Sequence, residues 1–298
     1  MHILITGGTG FIGQALVPAL LADGHTLTLL SRQPQKHRPR LGGKVQLIAR
    51  LAEIADHARL DAVINLAGEG IADRPWTAAR RQLLYDSRIT LTQDLVRWLA
   101  RRAAPPAVMI SGSAVGWYGD QEDAALTEAS AAHDEYTHTL CNAWENAARA
   151  VEAQGTRLCL LRIGVVLGRE GGMLKRLLPV FRAGLGGRIG SGRQWLSWIA
   201  REDLLALIRR LLSDASLSGV FNATAPTPVT NADFTRTLAT QLGRPALLPV
   251  PALALKLSLG DMSSLLLGGQ KVLPARLQAA GFTFAAPTLE ACLRRELR

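Results

Sequence analysis

Six short apolar runs punctuate the first half of the chain, at residues 2–6, 26–30, 45–48, 61–66, 107–111 and 156–163. They are nearly continuous in Leu, Ile and Val rather than alternating with polar residues, which is the pattern of strands covered on both faces. Between them, residues 12–22, 78–102 and 134–153 space their apolar side chains with helical period. Strands alternating with helices predict βαβ units and an α/β fold with a doubly wound parallel sheet over residues 1–168. Beyond residue 168 the texture changes. A glycine-rich stretch, 184–192, precedes Trp195 and Trp198, then a helix-like run at 202–212 and a strand-like Gly219-Val220-Phe221-Asn222. These features predict a smaller C-terminal α/β lobe, 169–298, that returns one strand near 219–224 to the main sheet. No repeat of 20–50 residues is visible.

Composition narrows the class. With 48% hydrophobic and 19% charged residues over 298 positions, wholesale disorder is excluded. The formal net charge is +10, and the basic residues are 29 arginines and five lysines scattered along the chain. Scattered arginine without an RNA- or DNA-binding signature argues for no nucleic-acid partner. Three distant cysteines, Cys141, Cys159 and Cys292, show neither a disulfide framework nor metal-ligand spacing and point to a reducing compartment. No signal peptide opens the chain and no run of 18 apolar residues occurs, so the expectation is a cytoplasmic protein with no metal and no membrane partner. Oligomeric state is not readable, and a homo-oligomer stays open.

The sharpest motif is Gly7-Gly8-Thr9-Gly10-Phe11-Ile12-Gly13, a G-x-x-G-x-x-G turn between the first strand and first helix. Glycines there permit a tight turn and close backbone approach to a pyrophosphate, which the helix N-terminus attracts. Gly7, Thr9, Gly10, Phe11, Ile12 and Gly13 are the expected cofactor contacts; the alternative is an unliganded turn. The end of the second strand selects the dinucleotide. An NAD site places an acid there for the ribose 2′-hydroxyl. Between Asp23 and Glu53 no acid occurs, and the strand ends in Ser31-Arg32. Arginine and serine there suit a 2′-phosphate, so NADP(H) is the expected cofactor, against the alternative of a solvated basic loop. Asn65-Leu66-Ala67-Gly68 ends the fourth strand in a small-residue turn suited to the cofactor's middle.

These motifs resemble the extended short-chain dehydrogenase/reductases, and more closely the atypical YfcH-like branch of the NAD-dependent epimerase/dehydratase superfamily. The matching residues include Thr6 to Gly13, Ser31-Arg32, Asn65 to Glu69, Ser87-Arg88-Ile89, Trp144-Glu145, Arg162 to Gly168 and Gln270-Lys271-Val272. The resemblance implies a Rossmann domain and an NADP(H)-type nucleotide at Ser31, Arg32, Asn65, Leu66 and Arg88. The family's Ser/Thr is matched by Ser113. Its Tyr-x-x-x-Lys pair is not: aligned on Glu145, Thr137 stands for the tyrosine and Cys141 for the lysine. Tyr136 is one residue, about 100° of helix rotation, away. Tyr118 is the other candidate to line the pocket and donate a proton, and His138 a third. The implied activity is that of an oxidoreductase or epimerase-family enzyme on a small carbonyl or hydroxyl compound. The alternative is a catalytically inactive NADP(H) sensor.

Overall fold

The computed structural model describes residues 1–297, so Arg298, the last residue of the expected second lobe, lies outside the described residues. The first half runs β1 (His2–Thr6), α1 (Gly13–Ala22), β2 (Thr26–Leu30), α2 (Pro34–Leu41), β3 (Gln46–Ile48), β4 (Ala62–Asn65), α3 (Ala78–Tyr85) and α4 (Leu91–Leu99). Next come β5 (Val108–Ala114), β6 (Ala125–Leu126), α5 (Tyr136–Arg149) and β7 (Arg157–Ile163). The second half holds β8 (Val165–Leu167), α6 (Gly172–Arg182), β9 (Trp195–Leu196), β10 (Trp198–Ala200), α7 (Arg201–Ser213) and β11 (Gly219–Ala223). It closes with β12 (Val229–Thr230), α8 (Asn231–Leu242), α9 (Ala252–Leu259), α10 (Ser264–Leu267), β13 (Lys271–Val272), α11 (Ala275–Ala279) and α12 (Leu289–Glu296).

The main sheet has seven strands, all parallel, in the order β11-β7-β5-β4-β1-β2-β3. Chain order reverses between β1 and β4, which opens the crevice where such sheets bind ligands. The continuous apolar runs are explained by two packed layers. On one face Ile3, Ile5, Ile64 and Ile110 meet Leu16 and Leu20 of α1 and Leu204, Leu207 and Leu211 of α7. On the other, Leu4, Val63 and Met109 meet Leu95 and Leu99 of α4 and Ala148 beyond the middle of α5. Ile3, Leu4 and Ile5 are successive and wholly buried, because alternate side chains enter opposite layers.

The second half therefore contributes to both parts of the molecule. α7 covers the main sheet and β11 extends it beside β7, while Phe181, Trp198, Phe234, Leu289 and Leu293 form a separate core. The helix expected over 78–102 is interrupted. A π turn, Asp86–Thr90, joins α3 to α4, and the helix ends at Leu99. Such a widened turn redirects the residues it carries, and it carries Arg88. No helix among the described residues is long and apolar enough to cross a membrane.

Candidate functional site

The glycine turn forms a cradle at the C-terminal end of β1. Gly10 N–H donates to the Gly7 carbonyl at 3.0 Å, closing the turn. Gly7 has φ +71°, and a Cβ on it would lie 2.5 Å from the Leu66 oxygen. A Cβ on Gly13 would lie 2.5 Å from the Gly7 oxygen, so helix and turn touch backbone to backbone. No side chain caps the N-terminus of α1, and no acid stands in its first turn. The helix thus presents N–H groups and its positive dipole end to the crevice. Phe11 uses its ring otherwise: it packs under the β8–α6 loop, where a Cβ on Gly171 would be 2.2 Å from the ring, and the Arg201 guanidinium lies 5.1 Å from its centroid.

At the end of β2, Ser31 is nearly buried and its Oγ accepts from Gln33 N–H at 3.2 Å. Arg32 is 82% exposed and pairs with Glu69 at 2.7 Å. Glu69 also faces Arg80 at 3.5 Å, and Arg80 is itself almost buried with its Nε unpartnered. Arg88, from the π turn, lies against Gly68 and donates to the Glu69 carbonyl at 2.7 Å and the Leu84 carbonyl at 3.3 Å. Burial lowers the Arg88 guanidinium from its ordinary value, while Cys141, Tyr136 and Glu69 oppose that shift. Three arginines from separate elements thus converge on the β4 turn, Arg32 and Arg80 on the Glu69 carboxylate and Arg88 on its main-chain carbonyl.

Asn65 departs from expectation. Its side chain is wholly buried: Oδ1 accepts from Thr6 Oγ1 at 2.7 Å, and Nδ2 donates to Thr92 Oγ1 at 2.9 Å and Ser111 Oγ at 3.1 Å. Thr6 Oγ1 in turn accepts from Ala67 N–H at 3.2 Å. The network pins β4 to β1 and β5 and holds the Leu66–Gly68 turn. Asn65 positions the crevice from beneath, and its amide does not face it.

The expected catalytic residues are placed by a charge pair buried below them. Glu145 is 1% and Arg162 is 3% exposed, and they meet in a fork, Nε to Oε1 at 2.8 Å and Nη2 to Oε2 at 3.1 Å. Ser113 Oγ, at the end of β5, donates to Glu145 Oε1 at 2.8 Å. Burial alone would lower the Arg162 guanidinium, but the hydrogen bonds and charge of Glu145 outweigh it and hold it above its ordinary value. The guanidinium also stacks on the Trp117 ring, 3.3 Å from its centroid.

Tyr118 does not face the crevice in this structure. It is wholly buried and its hydroxyl donates to Asn222 Oδ1 of β11 at 2.7 Å, so it lines no pocket. Burial, opposed by Arg162 and Asn222, raises its phenol and keeps it protonated, with that proton committed to Asn222. Thr137, in the tyrosine's position, is buried against Gly116, and burial with help from Glu145 pushes the Cys141 thiol up to about 12. Neither can replace a Tyr/Lys pair. His138 is half-buried, its Nδ1 2.6 Å from the Trp117 carbonyl. Tyr136 stacks on Trp76 at 4.7 Å and beneath Arg81, with its hydroxyl buried and unpartnered. Sequence reasoning missed Glu69, Arg80 and Arg162 as site-building residues. Arginine inside the apolar run Leu160-Leu161-Arg162-Ile163 was the available signal, since a buried charge requires a partner.

Comparison with known proteins agrees with this geometry. The model of the NAD dependent epimerase/dehydratase family matches residues 3–223, and a domain of unknown function, DUF1731, matches residues 250–296. The epimerase family protein YfhF of Bacillus subtilis is 39% identical over 98% of this chain and 97% of its own length. The epimerase family protein SDR39U1 of Bos taurus is 39% identical over 99% of both chains. The crystal structure of human epimerase family protein SDR39U1 (isoform 2) with NADPH superposes with a TM-score of 0.91, at 37% identity and 99% coverage of each chain. The chain belongs to the NAD dependent epimerase/dehydratase family.

Proposed function

We propose that the protein binds NADP(H) in the crevice above β1 and β4 and acts as an oxidoreductase on a small carbonyl or hydroxyl compound. The observation that carries the reading is the Gly7–Gly13 cradle closed against Leu66, with Ser31 and Arg32 at the end of β2. The similarity to a protein whose structure contains NADPH supports it. Gly7, Thr9, Gly10, Ile12 and Gly13 would take the pyrophosphate, Ser31 and Arg32 the 2′-phosphate, and Leu66, Ala67, Gly68 and Arg88 the middle of the cofactor. A bound nicotinamide supplies hydride transfer. Ser113, its O–H donating to Glu145 Oε1, keeps its oxygen lone pairs for a substrate hydroxyl, and the Glu145–Arg162 fork fixes its orientation. The three buried, unpaired thiols suit the cytoplasm.

A second reading, an NADP(H) sensor without catalysis, is favoured by the replacement of the Tyr/Lys pair with buried Thr137 and Cys141. The test is to mix the protein with NADPH and panels of aldehydes and ketones and follow nucleotide oxidation. Oxidation that Ser113→Ala abolishes supports the enzyme. Tight NADPH binding without oxidation of any compound overturns it in favour of the sensor.

Glu69 adds a prediction. It neutralises Arg32 in the exposed pair, so Glu69→Gln should strengthen NADPH binding by up to about fivefold, the value of a solvent-screened ion pair of at most ~1 kcal/mol. Isothermal titration measures it, and weaker binding would show that the carboxylate itself holds the nucleotide.

A further inference from the structure

The charge excess has a location. Two stretches without Asp or Glu, residues 171–200 and 234–260, hold eight lysines and arginines, against a net +10 for the whole chain. The fold brings them together. Leu248 N–H donates to the Gly186 carbonyl at 3.1 Å, Val250 N–H to that of Arg188 at 2.9 Å, and Gly190 N–H to that of Val250 at 2.9 Å. Arg188, Arg236, Arg244 and Leu247 line one open cleft of about 650 Å³. Arg236 is paired with Asp233, whereas Arg188, Arg244 and nearby Lys256 form no ion pair among the described residues and are exposed.

Exposed leucines border the cleft and continue along the chain from it into α9: Leu247 lines it, and α9 begins five residues later. Leu247 is 82% and Leu257 81% exposed, and Leu253, Leu185 and Leu248 are each more than half exposed. α9 buries no residue at all, and Leu253 and Leu257 sit one turn apart on it beside Lys256. Five large apolar side chains this exposed within two neighbouring segments point to an interaction surface. Charge decides among partners. A second copy of the chain would set two predominantly basic faces against each other, with Asp233 already paired to Arg236. A nucleic acid would meet leucine where base stacking needs aromatic rings. An anionic bilayer accommodates both components, with leucines entering the acyl boundary and cations on the phosphates.

We propose that this face docks the protein on an anionic phospholipid surface, inserting Leu247, Leu253 and Leu257 and setting Arg188, Arg244 and Lys256 on the headgroups. The absence of a spanning helix does not bear on such a surface contact. Co-sedimentation of the full chain with vesicles of phosphatidylcholine alone, or mixed with phosphatidylglycerol, tests it. Binding is expected only to the mixed vesicles and is released by high salt, each cation contributing roughly fivefold. Leu253→Asp/Leu257→Asp and Arg188→Glu/Arg244→Glu should each weaken binding more than tenfold, with unchanged circular dichroism and NADPH affinity. Equal binding to both vesicle types, no binding, or variants that bind like the parent would overturn the proposal. So would a dimer in sedimentation velocity that Leu253→Asp/Leu257→Asp dissolves, since the face would then be covered by a second copy.

Discussion

Glu145→Ala is expected to destabilise the protein by about 3–5 kcal/mol, the cost of leaving a buried partner charge without its counter-ion. Arg162 is 3% exposed and directs two of its donors to that carboxylate, while Ser113 directs its proton to the same Oε1. Truncation strands all three groups. For a chain of this size the melting temperature should fall on the order of 10 °C. Urea unfolding followed by circular dichroism gives the free energy directly. The double variant Glu145→Leu/Arg162→Leu removes both charges and should recover much of the loss, because an apolar pair carries no desolvation penalty. A single-variant loss below about 1 kcal/mol would mean that the fork does not organise this region.

Gly7→Ala is expected to leave the protein folded and to reduce NADPH affinity at least about a hundredfold, or some 3 kcal/mol. Two effects combine. A side chain at φ +71° costs about 1–2 kcal/mol by itself. The added methyl would also sit 2.5 Å from the Leu66 oxygen, so the β4 turn must move out of the crevice it forms. Gly24→Ala separates the two. Gly24 has φ +79° with nothing within 4 Å of a built Cβ, so it tests the dihedral without the collision. It should lose stability only and keep its NADPH affinity. If Gly7→Ala binds NADPH as Gly24→Ala does, the cradle is not the pyrophosphate site.

The doubly wound sheet was legible because its evidence is local. Continuous runs such as Ile3-Leu4-Ile5 and Ile64 within β4 demand cover on both faces, and the intervening helical periods supply it. The glycine turn was legible for the same reason, its seven residues being consecutive. Residues coupled across the sheet were not. Tyr118 reads as a loop residue beside Ser113, and its burial depends on Asn222, which lies 104 residues later. Asn65 reads as a cofactor contact by its place at a strand end, but Thr6, Thr92 and Ser111 consume its side chain. Glu69 as the counter-charge of Arg32 is not legible in sequence, because the carboxylate arrives from the β4 turn, beyond the acid-free window between Asp23 and Glu53. The π turn was hidden as well, since its sequence keeps helical composition while the extra residue changes only where Arg88 points.

The net charge of +10 now divides between two places. One is the crevice, where Arg32 and Arg80 face the Glu69 carboxylate and Arg88 holds its main-chain carbonyl; the other is the cleft of the second lobe, around Arg188 and Arg244. The crevice arginines bear on cofactor choice, which is the centre of the account. The most direct measurement is calorimetric titration of the parent protein and Arg32→Ala with NADPH and with NADH. The parent is expected to bind NADPH more tightly than NADH. Arg32→Ala should lose about ten- to a hundredfold in NADPH affinity, from one charge-assisted contact of roughly 1.5–3 kcal/mol, with NADH little changed. Equal weakening of both nucleotides, or of neither, would contradict it.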